Sequence, residues 1–212
     1  MPTLLANGGP VMWLILIAAA TAAVVFVERA LYCHRSTINS AEFLNGVRTV
    51  MKRGNVVEAI AICDATAGPV ARLVKSAILN REFGRDRVRE AVEEAGLTEV
   101  PRLEEKLNLL ATIAQIAPLL GLFGTMIGFI QVFSGLQVAG LYAHIGGDDP
   151  NSLATGALKA LICAAAGIAV AIPAHAGYNY LVSRVNKIVL DMERAAAEII
   201  NVVSESGNGN GK

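Results

Sequence analysis

Among the side chains in the apolar part of this sequence that can do chemistry are the hydroxyl of Thr125, the ammonium of Lys159 and the thiol of Cys163. Thr125 lies within residues 117–136, APLLGLFGTMIGFIQVFSGL, a membrane-length stretch without a charge that still holds four glycines, one serine and one glutamine. Thr155, Lys159 and Cys163 recur at i, i+4 and i+8, which stacks them on one helix face beside a small-residue ridge of Gly156, Ala160 and Ala164. A hydroxyl donates and accepts hydrogen bonds, an ammonium only donates, and a thiol does both weakly. Such a set can line a polar site at the centre of a bilayer. It lacks any carboxylate.

Enzyme chemistry finds no comparable set. His34, His144 and His175 are scattered, no HExxH occurs, and residues 113–133 and 153–182 contain no Asp or Glu. Cys33, Cys63 and Cys163 are odd in number and form no CxxC, so they read as thiols rather than as a disulfide framework, metal site or redox site. No catalytic residue, metal or cofactor is expected. Eighteen basic residues balance eighteen acidic ones, which disfavours a nucleic-acid binder. No inverted repeat of the secondary-transporter kind is visible.

The elements that position these residues must be membrane spans. Of 212 residues, 54% are hydrophobic and only 17% charged, more apolar than a soluble core needs. Residues 11–27 and 113–133 are uncharged, and 153–182 is apolar apart from Lys159 and His175. The first run has no preceding Lys or Arg and is too long for a signal-peptide core, so it is read as a retained anchor, with Trp13 and Tyr32 near its ends at the interfaces. Residues 28–106 carry thirteen Lys and Arg, whereas the connection 141–154 carries Asp148 and Asp149 and no basic residue. The positive-inside rule then puts the N-terminus outside, the long first connection inside, the short hairpin outside and the C-terminus inside.

The inner connection has helical punctuation of its own. Residues 40–53 predict an amphipathic helix stopped by Gly54, and Asn55 with Glu58 forms a capping box opening a second. Pro69 suits the first turn of a third helix reaching about Glu82, and Asp86 is placed as the cap of a fourth. That fourth helix, with Pro101 as a kink, is expected to run into the second span without a loop. Beyond the third span a helical pattern continues over 178–203, and the tail SESGNGNGK has a disordered composition.

Within the second span, Gly121, Gly124, Thr125, Gly128, Gln131 and Gly135 share an arc of about 120°, with Leu122, Phe123, Met126, Phe129, Ile130 and Phe133 on the rest. Close helix packing accounts for the glycines, and Thr125 divides between a back-bond to its own helix and a mid-membrane polar role. The predicted topology sets Thr125, Cys163 and Ala164 at similar depth, with Pro118 and Pro173 near the inner face. Lys159 lies about one turn inside the outer interface, where it can snorkel towards water, Asp148 or Asp149.

LNLLATIAQIAPLLGLFGTMIGFIQVF followed by ALICAAAGIAVAIPAHAGYNY resembles the two signature helices of the MotA/TolQ/ExbB proton-channel family, with the APLLGLxGTxxG core and the AxGxxxAIPA ending. RGNVVEAIAICDATAGPVARLV is similar to that family's cytoplasmic segment, and three spans point to the ExbB/TolQ branch. The sequence departs from the pattern at Ala164, where the family usually has threonine, and at Lys159, where ExbB-type members often have glutamate.

The resemblance implies an all-α membrane protein with long cytoplasmic helical extensions, assembled as a homopentamer around single-span ExbD/TolR/MotB-like partner helices that each carry a membrane Asp. It implies a bacterial inner-membrane, ion-driven motor or stator subunit that turns proton-motive force into mechanical work for outer-membrane transport or envelope processes. A non-conducting membrane scaffold of the same fold is the alternative. The expected divisions are 1–10 periplasmic, 11–31 first span, 32–110 cytoplasmic, 111–137 second span, 138–154 periplasmic hairpin, 155–178 third span, 179–203 cytoplasmic helix and 204–212 disordered tail. Thr125, Cys163 and Lys159 are the expected ion-pathway residues. Gly121, Gly124, Gly128, Pro118, Pro173, Ala164 and Gly167 are the expected pore-packing set, with the glycine faces joining neighbouring subunits.

Overall fold

A computed structural model describes the backbone of residues 9–36, 39–142 and 150–208, and the side chains of 11–36, 39–134 and 156–203. Every described element is helical: α1 (Gly9–Ser36), α2 (Ser40–Lys52), α3 (Val56–Ala65), α4 (Pro69–Leu79), a 3-10 turn (Arg81–Phe83), α5 (Arg85–Glu104), α6 (Leu107–Tyr142) and α7 (Pro150–Asn208). Three stretches, within Val11–Lys52, Arg85–Ser134 and Gly156–Val203, are long and apolar enough to cross a membrane. Asp148, Asp149 and His144 lie outside the described residues, as do the side chain of Thr155, most of the terminal segment 1–10 and the end of the tail.

The described residues form two compact units, one from Met1–Val27 with Lys106–Tyr180 and one from Glu28–Glu105 with Leu181–Lys212. In the first, α6 and α7 run antiparallel and touch through their smallest residues: Gly121 meets Cys163, Ala164 and Gly167, Gly124 meets Cys163, and Gly128 meets Ala160. Lipid is as apolar as leucine, so close main-chain approach replaces the hydrophobic drive that joins helices in water. α1 joins this pair through Val11 at Gly124 and Phe26 at Gly177. It buries Val11, Met12, Ile15, Ala22 and Val25 and leaves Trp13, Leu14, Ile17 and Val24 exposed.

The second unit is built with water-style packing. Along α7, Leu181, Val185, Ile188, Met192, Ala195, Ile199 and Val202 are buried at alternating spacings of four and three, the seam of a coiled coil. Against the small set Ala160, Cys163, Gly167, Ala171 and Ala174 buried earlier in the same helix, most of these side chains are bulky. α4 packs on α3 and α5 and is buried over Val70, Ala71, Leu73, Val74, Ala77 and Ile78. Ser76 Oγ donates to the Ala91 carbonyl at 3.0 Å, and Arg85 Nη2 donates to Asn201 Oδ1 at 3.3 Å.

Most of the expected punctuation is present. Gly54, at φ 74°, follows α2, and the Glu58 amide donates to Asn55 Oδ1 at 3.3 Å while Asn55 Nδ2 donates to Glu58 Oε2 at 2.7 Å. Gly68, at φ 135°, precedes Pro69 at the head of α4. Two expectations are corrected. Asp86 is in the first turn of α5 and the cap position is Gly84, with no side-chain cap bond. The fourth helix does not run into the second span: α5 stops at Glu104, Glu105 takes φ −50° and ψ 137°, Lys106 takes φ 63°, and α6 begins at Leu107. An extended residue followed by a left-handed one cannot continue an α-helix. Pro101 is accommodated inside α5.

Candidate functional site

The candidate site is the middle of the α6–α7 pair. At 100° per residue the glycines of α6 return to one face every three or four positions, and that face is buried at Gly121, Gly124, Thr125 and Gly128. Leu122, Phe123, Met126, Phe129, Ile130 and Phe133 are exposed, as the wheel requires. Gln131, at the edge of the predicted arc, is exposed, and Gly135 lies beyond the described side chains.

Thr125 is 8% exposed and is the only buried polar or charged residue among the described residues of the first unit, the thiol of Cys163 aside. Its hydroxyl donates to the Leu122 carbonyl at 2.6 Å. With its proton engaged, the oxygen is left as an acceptor, suited to a protonated carboxylic acid. Stabilising a carboxylate requires the hydroxyl to turn away from Leu122.

Cys163, 3% exposed, packs its Cβ and Sγ against Gly124. Ala164 and Lys159 are half-buried, Gly167 is buried against Ala117 and Gly121, Pro118 is half-buried, and Pro173 and His175 are exposed. The structure therefore brings Gly121, Gly124, Gly128, Cys163, Ala164 and Gly167 together along one seam. Pro173, on the exposed side of α7, is not part of it. The neighbours of Gly121, Gly124 and Gly128 within the chain are Ala160, Cys163, Ala164 and Gly167. Small faces pair with small faces, and the antiparallel neighbour in sequence supplies one.

No group of His, Cys, Asp and Glu arranged for a metal occurs among the described residues. Sequence reasoning passed over Arg29, which is 4% exposed. It continues the buried stripe Ala22, Val25, Cys33 and Ser36 of α1 at steps of three and four, and that spacing was the signal available for it.

With this geometry in view, the comparisons with known proteins are specific. The sequence profile of the MotA/TolQ/ExbB proton channel family matches residues 65–194. An ExbB homologue of Methanothermobacter thermautotrophicus is 28% identical over 181 residues, which is 85% of this chain and 62% of the relative. The Tol-Pal system protein TolQ of Haemophilus influenzae is 35% identical over 114 residues, covering 52% of this chain and 46% of TolQ. The biopolymer transport protein ExbB of Neisseria gonorrhoeae is 24% identical, covering 91% of this chain and 92% of that protein. The chain thus spans less than two thirds of the first two relatives and most of the third. The matched region contains α4, α5, α6 and the seam half of α7, and three helical stretches of membrane length accompany it. The chain is a membrane protein that belongs to the MotA/TolQ/ExbB proton channel family, on its ExbB/TolQ branch.

Proposed function

We propose that this chain is an inner-membrane stator subunit that works with a single-span, ExbD/TolR-like partner to convert proton-motive force into mechanical work, in biopolymer transport or a Tol-Pal-type envelope process. One observation carries the reading: in a glycine-sealed, apolar helix pair, the buried hydroxyl among the described side chains is that of Thr125. A buried hydroxyl in such surroundings suits a mobile proton carrier, and the apolar stretches of α6 and α7 offer no Asp or Glu to be that carrier. The carboxylate then comes from the partner helix. In this proposal the spans are 11–31, 111–137 and 155–178, the segments 32–110 and 179–203 are cytoplasmic, the N-terminus and the hairpin 138–154 are periplasmic, and the assembly is a homopentamer. The distribution of basic residues supports the orientation. Lys159 stands at the outer end of the path, and Cys163 serves the seam more than the ion.

The back-bond from Thr125 to Leu122, together with Ala164 in place of a second hydroxyl, favours one alternative, a non-conducting membrane scaffold of the same fold. Proton flux into vesicles holding the chain with its single-span partner separates the two. The stator reading expects flux in wild type, most of it lost in Thr125→Val and much of it kept in Thr125→Ser. No flux from the wild-type complex supports the scaffold. Equal flux from wild type and Thr125→Val removes Thr125 from the path.

A further inference from the structure

Arg29 is a cation placed where burial is costly, and its contacts converge on one short segment. Nη2 lies 3.0 Å from Glu105 Oε2, and Nη1 donates to the Arg102 carbonyl at 3.3 Å. The guanidinium carbon is 5.5 Å from the centre of the Tyr32 ring, within reach of a cation–π attraction. Nε is buried without a hydrogen-bond partner, so the guanidinium tolerates an unsatisfied donor to hold this position. The Arg102 carbonyl is one of the four that the end of α5 leaves without an intrahelical donor, and Glu105 is the residue that ends the helix. Arg102 is itself held, because its Nη1 lies 2.9 Å from Glu99, a buried carboxylate that also takes Arg72 Nη1 at 3.4 Å. The next residue is Lys106, in the left-handed conformation that a side chain disfavours.

We propose that Arg29 is a clasp that locks the two-residue break Glu105–Lys106 in this one setting, and that opening the clasp frees the segment from which α6, the helix of Thr125, starts. The Glu105 side chain is 63% exposed, so on parting it returns to water, while the guanidinium, 4% exposed, is left a buried cation without its counter-charge, and that cost is what holds the clasp shut. The Arg102 carbonyl lies at a helix end, where water can replace the lost donor. The clasp is therefore a local contact, confined to Arg29, Tyr32, Arg102 and Glu105. A static core residue would instead be one whose loss is felt throughout its unit.

Hydrogen exchange on the full chain in lipid nanodiscs tests this. In Arg29→Met, which keeps length and apolar contact, amides from Leu103 to Ala111 should exchange at least about tenfold faster, while those of Val74, Ala77 and Ile78 in α4 stay at wild-type rates. Arg29→Lys, which keeps the charge without the two-pronged donor, should fall between the two. Adding Lys106→Gly to Arg29→Met should recover part of the protection, because glycine takes the left-handed conformation freely. Unchanged exchange at 103–111 in Arg29→Met overturns the proposal. So does faster exchange in α4 by the same factor, which would make Arg29 a general core residue. Failure of Lys106→Gly to restore any protection would show that the left-handed residue is not what the clasp restrains.

Discussion

Gly167→Ala tests whether α6 and α7 are in main-chain contact. A Cβ at this position would stand 2.6 Å from the Ala117 carbonyl oxygen, 2.8 Å from Gly121 Cα and 3.0 Å from Gly121 N. All three are backbone atoms of α6, so no rotamer change makes room. Ordinary contact begins near 3.4 Å, so the helices must part by about 0.8 Å at this level, and a gap of that size forfeits a quarter to a half of each dispersion contact along the seam. Together with the overpacking strain, a loss of about 2 kcal/mol follows, which for a chain of this length lowers the unfolding midpoint by about 4–8 °C. Gly46→Ala is the control: nothing lies within 4 Å of its Cβ, and the helix gains about 0.5–1 kcal/mol. Thermal unfolding of wild type and both variants, side by side in one detergent, decides the matter. A Gly167→Ala midpoint equal to wild type, with Gly46→Ala behaving as expected, would refute the seam.

Further outcomes follow from other parts of the molecule. Thr125→Val should leave assembly intact while making ionisation of a partner carboxyl harder by something on the order of 1–3 kcal/mol, seen as lost proton flux that Thr125→Ser largely restores. Asn55→Ala removes the cap on the Glu58 amide and should lower unfolding stability by about 1 kcal/mol, measured against Asn55→Asp, which keeps the acceptor. Burial, with the neighbouring Asp64 adding to it and Lys75 opposing, pushes the Cys63 thiol up to about 11, so alkylation at pH 8 should be far slower than for a peptide cysteine. Because the folded value lies above the unfolded one, the stability this thiol contributes is complete below the ordinary cysteine range and fades as pH rises towards 11. Cys63→Ala should flatten that part of the pH–stability curve.

The three membrane stretches, the stop at Gly54 and the Asn55–Glu58 cap were legible because each is a local pattern: a long uncharged run, a residue that tolerates positive φ, or an oxygen three residues from an amide. The end of α5 was not. Glu104, Glu105 and Lys106 are ordinary helix formers, and the visible signal, Pro101, lies inside the helix; the break is fixed by the long-range contacts of Arg29, seventy-three residues from Arg102 in sequence. In the site, the small face of α6 was readable from 3.6-residue periodicity, but its partner was not, since a glycine ridge accepts any small-residue ridge. Gln131 stands at the edge of the arc, where a few degrees of helix rotation decide exposure, and it is exposed.

The α6–α7 seam has a mechanical consequence. Most packed helices are separated by a layer of side chains whose rotamers yield under load. Here Gly121 faces Gly167 and the carbonyls of Cys163 and Ala164 with no such cushion. The pair is stiff in shear as well as in compression, because one helix cannot slide past the other without backbone meeting backbone. Compliance is left to the outward rows of Leu122, Phe123, Met126 and Ile130 on α6 and Leu161, Ile168 and Ile172 on α7, whose side chains can reorder while the seam between the two helices keeps its spacing.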